Sequence, residues 1–387
     1  MSEQNTTNKP KLQVGNGSGG ESRESVNSVR KSVFFLLIVG VVYFLYLLFS
    51  GQLGTFINAL AGVDIRWVLF GGLCYVFYYS FGVLAYAIAV IGDPKSPLGI
   101  ADLMSVEATG IFFSNLTPNG AGGAPAQIVR LTRSGLSAGA AGALQYTRFI
   151  VYEAAEGIFA ALMLIPRLGY FVDTYGNIFL IGLFIFGFKV FEVGGLLLVC
   201  LFPNIVKKVG NALLRLVAKH GMTKRYEHWN HLINEQVEEF SDGFRAGASN
   251  WKLMLWTLVV TMIQLSFQYT LPWVALQAFG RPGDFLTCLA CGSMLELLTS
   301  AVPLPGGTGG AEGGFAFLFG GMFGPTLSAG YVIWRMVQYI LPVLASVPLM
   351  GLRTKSGYSL NSRIRRARQK FNRPGRRHHR QDVRRRK

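Results

Sequence analysis

The chain has 387 residues, of which 51% are hydrophobic and 15% charged, and its formal net charge is +17. A soluble domain of this length rarely combines 29 Phe, 15 Tyr and 47 Gly with so few charges. These figures exclude an ordinary soluble protein. Long apolar segments then predict an all-α polytopic membrane protein, because helices satisfy their own backbone hydrogen bonds and so cross lipid as separate segments.

Apolar segments of membrane-spanning length recur along the chain. Residues 1–31 are polar, rich in Gly and Ser and unlike a cleavable signal peptide, so they are predicted to form a disordered cytoplasmic tail. About six full transmembrane helices follow, at 33–50, 67–91, 144–166, 178–202, 251–279 and 327–352. They divide into a first membrane half, 32–203, and a second, 251–352, on either side of a cytoplasmic amphipathic insert, 204–250.

The distribution of basic residues predicts the orientation. Residues 353–387 contain 15 Lys or Arg and one acid, and this basic tail is predicted to be disordered. Both tails and the insert carry Lys and Arg, which places them on the cytoplasmic side of the cell membrane. The basic tail is expected to contact the anionic lipid surface. No specific nucleic acid is expected, because a polybasic run has no base-reading element.

Two further segments are not full spans in this orientation. Residues 99–135 would enter and leave the membrane on the cytoplasmic side, and residues 284–326 on the outside. Each contains an apolar stretch followed by a Gly/Pro break, and the second break reads LPGGTGGAEGG from 304 to 314. The pattern is typical of a re-entrant helical hairpin, because non-helical backbone at membrane depth needs protein or water around it.

The two breaks are related by a repeat. At an offset of 187 residues, the positions Pro118, Gly120, Gly122 and Gly123 fall on Pro305, Gly307, Gly309 and Gly310. The same offset carries Arg148 to Arg335 and Tyr152 to Tyr339. Hairpins that open to opposite sides predict an inverted-topology repeat. Inverted repeats with broken helices near the midplane are typical of transporters.

Ionisable residues inside apolar runs are costly unless they are paired or face a cavity. The candidate substrate-binding residues come from two spans and one hairpin: Arg148, Tyr152, Glu156, Glu296, Glu312, Arg335, Gln338 and Tyr339. Two interpretations stay open. The arginines pair with glutamates, Glu107 included, and lock helices together, or they bind an anionic group with their planar guanidinium and the N–H groups of the glycine breaks. Lys189 and Glu192, three residues apart, are predicted to neutralise each other.

The sequence contains no nucleophile motif, Walker loop or dinucleotide fingerprint, so no catalytic residue and no cofactor are predicted. His228 and His231 share a helical face in the insert, but a single histidine pair of this kind is usually incidental, and no metal is expected. The oligomeric state is not defined by the sequence.

Two pairs of segments resemble a known family. SNLTPNGAGGAP with LQYTRF, and AVPLPGGTGGAEGGFAFL with VIWRMVQYILP, are similar to the lysylphosphatidylglycerol synthase transmembrane, or flippase-like, family. This family is the membrane half of the bacterial multiple peptide resistance factor, and the resemblance covers about residues 32–353. It implies a module that moves aminoacylated phosphatidylglycerol between leaflets, without the separate domain that makes this lipid from aminoacyl-tRNA.

The first motif departs from the family pattern. The family usually has GGEP where this chain has Gly122, Gly123, Ala124 and Pro125, and often an acid where it has Thr147. Compared with the family, the inner hairpin has therefore lost acidic groups that a cationic headgroup would favour, whereas Glu312 remains in the outer hairpin.

The function expected from these observations is that of a flippase or transporter for an anionic or aminoacylated phospholipid. One alternative is a membrane component of lipid-modifying chemistry, of the phosphatidylglycerol lysyltransferase or polyprenyl-linked type. Another is a membrane interaction or scaffold protein. The resemblance implies the first, because the catalytic domain of the family is not part of the matching segments.

Overall fold

A computed structural model of the chain describes residues 57–371, except 59, 94–95, 177–178, 219–241, 243–244, 246–249, 301 and 355–358. Within these residues the secondary structure is helical, apart from one isolated β-bridge. The predicted span at 33–50, the N-terminal tail and much of the insert lie outside the described residues.

Six of the described helices lie in the first membrane half, and a seventh begins the insert. They are α1 Ile65–Ile91, α2 Ile100–Leu116, α3 Gly123–Arg133, α4 Ala138–Leu164, α5 Leu168–Tyr175, α6 Phe179–Leu201 and α7 Pro203–Ala218. A 3₁₀ turn at Ile165–Arg167 links α4 to α5. Helix α4 starts six residues before the predicted span, because the Ser137 side chain accepts a hydrogen bond from Ala140 N and so caps the helix there.

The second half follows the same order. Its helices are α8 Trp251–Tyr269, α9 Leu271–Ala278, α10 Phe285–Ser300, α11 Gly310–Phe323, α12 Leu327–Arg335 and α13 Leu341–Leu349, followed by α14 Leu360–Phe371 in the tail. Pro272 in the first turn of α9 separates that helix from α8. A 3₁₀ turn at Gly324–Thr326 precedes α12, and a π-helical turn at Met336–Ile340 joins α12 to α13.

Four helical stretches of the described chain are long and apolar enough to cross a membrane: Ile65–Ile91, Ala138–Tyr175, Trp251–Ala278 and Gly310–Leu349. Large apolar side chains on the outside of the helices are exposed, among them Leu69 at 68% and Phe191 at 76%. A surface of this kind is suited to lipid rather than water. The prediction of an all-α polytopic membrane protein is confirmed.

The helix boundaries repeat at the offset found in the sequence. Helix α3 begins at Gly123 and α11 at Gly310, 187 residues later. Helix α1 at Ile65–Ile91 likewise corresponds to α8 and α9 together, which run from 251 to 278. The repeat in local structure therefore includes the span that precedes each hairpin.

The two halves interlock through their hairpins. Helix α2 packs against α3, and α10 packs against α11, so each break forms the tip of a helical hairpin. Each hairpin also contacts a span of the other half, because α2 packs against α13 and α10 against α4. The tips meet at an isolated antiparallel bridge between Pro118 and Pro305, which are equivalent positions of the repeat.

The basic tail is not irregular throughout. Residues Leu360–Phe371 form a helix, and Leu360 N donates a hydrogen bond to Leu98 O at 2.9 Å. The Asn361 side chain donates to Asp93 O at 2.7 Å, near the end of α1. The prediction of a disordered tail is wrong over these residues, because their backbone and side chains find acceptors at the ends of the spans.

Asp284 fixes the start of α10. Its Oδ2 accepts hydrogen bonds from Arg167 Nη2 at 2.8 Å, from Thr287 N at 2.8 Å and from Thr287 Oγ1 at 2.7 Å. The hydrogen bond from Arg167, followed by those from Thr287, lowers the pKa of Asp284 from 3.8 to about 2. At a pH above the pKa of Asp284 in the unfolded chain, the ionised carboxylate therefore stabilises the fold. This contribution is lost as the pH falls through the folded pKa of about 2.

We expect Asp284→Ala to lower the free energy of unfolding by about 1 kcal/mol at neutral pH, the usual effect of losing a helix N-cap. Thermal unfolding in detergent measures the difference, which should shrink as pH falls from 4 toward 2. A difference that stays constant over this range would assign the loss to packing rather than to the ionised carboxylate.

Candidate functional site

A cavity of about 350 Å³ lies between the hairpin tips and the spans that follow them. Its size is in the range of small-molecule sites. Nine of the residues singled out from the sequence line it: Gly120, Arg148, Tyr152, Glu156, Glu296, Gly307, Arg335, Gln338 and Tyr339. The two arginines that the repeat relates are therefore brought to one polar cavity inside an apolar helical protein.

Glu312 is not part of the cavity wall. Its Oε2 accepts a hydrogen bond from Gly309 N at 2.5 Å, and its Oε1 accepts one from Tyr331 OH at 2.5 Å. Glu312 is thus the acidic residue of a capping interaction at the start of α11. Both of its oxygens are therefore bonded within the second membrane half, one to the hairpin tip and one to α12.

The remaining break residues shape the tips without lining the cavity: Pro118, Gly122, Gly123, Pro305, Gly309 and Gly310. The N–H groups at the helix starts were expected to favour an anion. Instead Gly309 N is bonded to Glu312, and Gly122 N donates to Thr117 Oγ1 at 2.9 Å. These two donors are satisfied by the protein itself.

Arg148 is 5% exposed and lies on the cavity wall. Its Nη2 donates to Gln264 Oε1 at 2.7 Å, while Gln264 Nε2 donates to Glu107 Oε1 at 3.1 Å. The guanidinium carbon is 5.7 Å from the ring centre of Tyr86 and 5.5 Å from that of Tyr152. Nε and Nη1 have no hydrogen-bond partner in the described structure. The neutral side-chain amide of Gln264 thus lies between Arg148 and the carboxylate of Glu107.

A chain of side-chain hydrogen bonds holds the wall beside Arg148. Tyr86 OH donates to Gln145 Oε1 at 2.5 Å, and Gln145 Nε2 donates to Gln127 Oε1 at 2.6 Å. Gln127 in turn donates to Val106 O at 3.4 Å. The chain connects α1, α4, α3 and α2. Three residues of this polar network were not predicted from the sequence: Tyr86, Gln127 and Gln264. Buried amides in apolar helices were the available signal for the two glutamines.

Arg335 has a different environment from its repeat partner. It is only partly buried, and its Nη2 donates to Gly306 O at 2.6 Å. Its guanidinium carbon is 4.4 Å from the ring centre of Tyr339, whose hydroxyl donates to Asn115 O at 3.0 Å. Arg335 and Tyr339 therefore link the tip of the second hairpin to the end of α2 in the first.

The π-helical turn adds a polar contact to the wall. Gln338 lies in this turn and donates through Nε2 to Glu296 Oε2 at 3.2 Å, while its Oε1 accepts from Trp334 Nε1 at 3.1 Å. Turns of this type inside α-helices are frequently found at functional sites. Glu296, Gln338 and Tyr339, all chosen from the sequence, are thus grouped at one side of the cavity.

Lys189 does not pair mainly with Glu192. Its Nζ forms an ion pair with Glu153, a second with Glu156 Oε2 at 3.2 Å and a third with Glu192 Oε2 at 3.6 Å. The predicted self-neutralised pair is therefore the longest of three contacts. Glu156 is bound to Lys189 and not to either arginine, because α6 packs against α4.

In a comparison with known proteins, residues 33–346 of the chain match the family described as the lysylphosphatidylglycerol synthase TM region. A "UPF0104 membrane protein" of Archaeoglobus fulgidus is 26% identical over 249 residues, which cover 61% of this chain and 71% of that protein. The family match extends over every residue that lines the cavity.

Proposed function

Because this chain belongs to the lysylphosphatidylglycerol synthase transmembrane family, we propose that it is a lipid flippase or transporter. Its substrate is an anionic or aminoacylated phospholipid of the phosphatidylglycerol type, which it moves between the leaflets of the cell membrane. The observation that carries this proposal is the polar cavity with two arginines and several carboxylates inside an apolar helical protein. A polar headgroup needs such a compartment to cross the hydrocarbon layer, whereas acyl chains can remain in lipid.

The hairpins support re-entry from opposite faces. Helix α2 has 17 residues and α10 has 16, so each is about 25 Å long, shorter than the hydrocarbon core of about 30 Å. Each is followed by a break and a helix that returns alongside it. The tips meet at the Pro118–Pro305 bridge, so hairpins that enter from opposite faces would bring both tips together inside the membrane, beside the cavity. Both tails would be cytoplasmic, and the basic tail would face anionic lipid.

Leaflet-resolved transport of a phosphatidylglycerol analogue in reconstituted vesicles tests the proposal. We expect the wild-type protein to accelerate exchange between leaflets and Arg335→Ala to lower this rate at least tenfold, because the substitution removes a cavity charge and the contact between the tips. Arg133→Ala, at an exposed arginine on α3, is the matched control and should transport normally.

One result would contradict the proposed transport: vesicles with wild-type protein that show no exchange beyond protein-free vesicles. Transport in Arg335→Ala at the wild-type rate would instead remove that arginine from the mechanism. A change in the mass of the lipid during the assay would instead indicate lipid-modifying chemistry.

A further inference from the structure

The buried arginines of the described structure differ in how their donors are used. Arg130 is 8% exposed, and all three of its nitrogens are bonded to protein: Nε to Ser105 Oγ at 2.6 Å, Nη1 to Ser134 Oγ at 3.1 Å and Nη2 to Leu352 O at 2.5 Å. This is how an arginine that only joins helices is expected to be satisfied. It ties the first hairpin to the end of the last span.

Arg148 does not follow this pattern. It is more deeply buried than Arg130, yet only Nη2 has a protein acceptor, and Nε and Nη1 have none. A guanidinium carries one N–H on Nε and two on each Nη, so most of its donors are without a protein partner. Leaving buried charged donors without acceptors costs free energy, and an arginine kept for packing alone would not be expected to bear that cost.

The orientation of Arg148 is fixed in advance. Gln264 holds Nη2, and the rings of Tyr86 and Tyr152 flank the guanidinium at 5.7 and 5.5 Å. None of the ion pairs among the described residues includes Arg148, so its charge is not neutralised by direct contact. A held, charged donor group facing a cavity suits a ligand with several negatively charged oxygens, and phosphate is such a group.

Arg335, its repeat partner, also forms one hydrogen bond among the described residues, but its acceptor is the backbone of a hairpin tip. It donates to the carbonyl of Gly306 and lies over the ring of Tyr339, and these contacts join the two hairpin tips. We infer that Arg148 is the residue that binds the phosphate of the ligand in this conformation, and that Arg335 is a positioning residue that holds the second tip. The assignment of the ligand to a lipid rests on the proposed function; the phosphate site itself does not.

Binding to the purified full-length protein in detergent tests this division of roles. The probes are dihexanoyl-phosphatidylglycerol, inorganic phosphate and dihexanoylglycerol, which lacks the phosphate. We expect the phospholipid to bind and dihexanoylglycerol not to bind. Arg148→Lys should raise the Kd for the phospholipid at least tenfold, since lysine keeps the charge but loses the planar set of donors. Arg335→Lys should change it less than threefold.

Arg130→Lys is the matched control. It should lower the unfolding temperature, because three protein hydrogen bonds are lost, and leave the Kd within a factor of two. Arg148→Lys should show the reverse, with weaker binding and an unfolding temperature close to that of the wild type. Equal losses of affinity in Arg148→Lys and Arg335→Lys, or none in Arg148→Lys, would overturn the assignment.

A measurement on wild-type protein covers the case in which Arg148→Lys does not fold. Phenylglyoxal modification, mapped peptide by peptide, should be slowed at least threefold at Arg148 by dihexanoyl-phosphatidylglycerol and should change less than twofold at Arg335. Protection of both arginines to the same extent, or of neither, contradicts the inference.

The binding and transport results separate the two proposals. Binding that depends on Arg148 without transport between leaflets would support the phosphate site and refute the flippase. Transport that is unchanged in Arg148→Lys would support the flippase and refute the phosphate site at Arg148. Tighter binding of dihexanoyl-phosphatidylglycerol than of inorganic phosphate assigns the site to a lipid headgroup, and the reverse order assigns it to free phosphate.

Discussion

Replacing Lys189 with methionine is expected to lower the free energy of unfolding by about 3–5 kcal/mol, the range seen when one partner of a buried ion pair is removed. The Lys189, Glu153 and Glu156 side chains are 9%, 12% and 8% exposed. Methionine fills a similar volume but leaves two buried carboxylates on α4 without a cation. The loss can be measured by equilibrium unfolding in mixed detergent micelles.

Two variants in the same cluster serve as controls. Lys189→Arg keeps the positive charge and should recover most of the stability. Glu192→Gln removes a carboxylate that is 44% exposed and 3.6 Å from Lys189, so it should cost less than about 1 kcal/mol. If Lys189→Met and Glu192→Gln lower the free energy of unfolding equally, the ion pairs of Lys189 with Glu153 and Glu156 do not stabilise the packing of α6 on α4.

Replacing Gly306 with alanine is expected to reduce leaflet transport at least tenfold and to lower stability by about 1–2 kcal/mol, the cost of a left-handed backbone with a Cβ. Gly306 has a φ of +61°, and a Cβ there would overlap the ring of Tyr339. The added methyl group would displace the side chain that joins the tips and the carbonyl that accepts from Arg335. The vesicle assay and thermal unfolding measure the two effects.

Two nearby glycines separate the causes. Gly309 has a φ of +89° but open space around its Cβ position, so Gly309→Ala tests backbone strain alone. Gly313 lies in α11 with neither strain nor neighbours, and Gly313→Ala should stabilise the helix by about 0.5–1 kcal/mol. Transport in Gly306→Ala at the level of Gly309→Ala would show that contact with Tyr339 does not matter.

The helices and the repeat could be predicted because they depend on local pattern. Apolar length predicts spans, and glycine with proline predicts breaks, so α1, α4 and the two hairpins lie where the sequence places them. The offset of 187 residues correctly relates Gly123 to Gly310 as helix starts. The convergence of Arg148 and Arg335 on one cavity also follows from this repeat, since both occupy the same register after their hairpins.

The partners of the charged residues could not be predicted, because they depend on how helices pack. Lys189 pairs with Glu153, a residue that is not among the sequence candidates, since α6 packs against α4. Gln264 reaches Arg148 from a span 116 residues away in the chain. The capping role of Glu312 could have been predicted from the sequence, because an acid three residues after the glycine that caps a helix is a local signal.

The bridge between Pro118 and Pro305 joins two residues that occupy the same position in the repeat. If the inverted-topology repeat relates the two halves by a half-turn, a contact between equivalent positions lies on the rotation axis and is unchanged by the rotation. The Pro118–Pro305 bridge would therefore be kept if the two halves exchanged conformations. In such an exchange, contacts away from the axis would be replaced by their repeat equivalents. Arg335 with Gly306 would give way to Arg148 with Asn119, and Tyr339 with Asn115 to Tyr152 with Val302. Both Asn119 and Val302 already border the cavity.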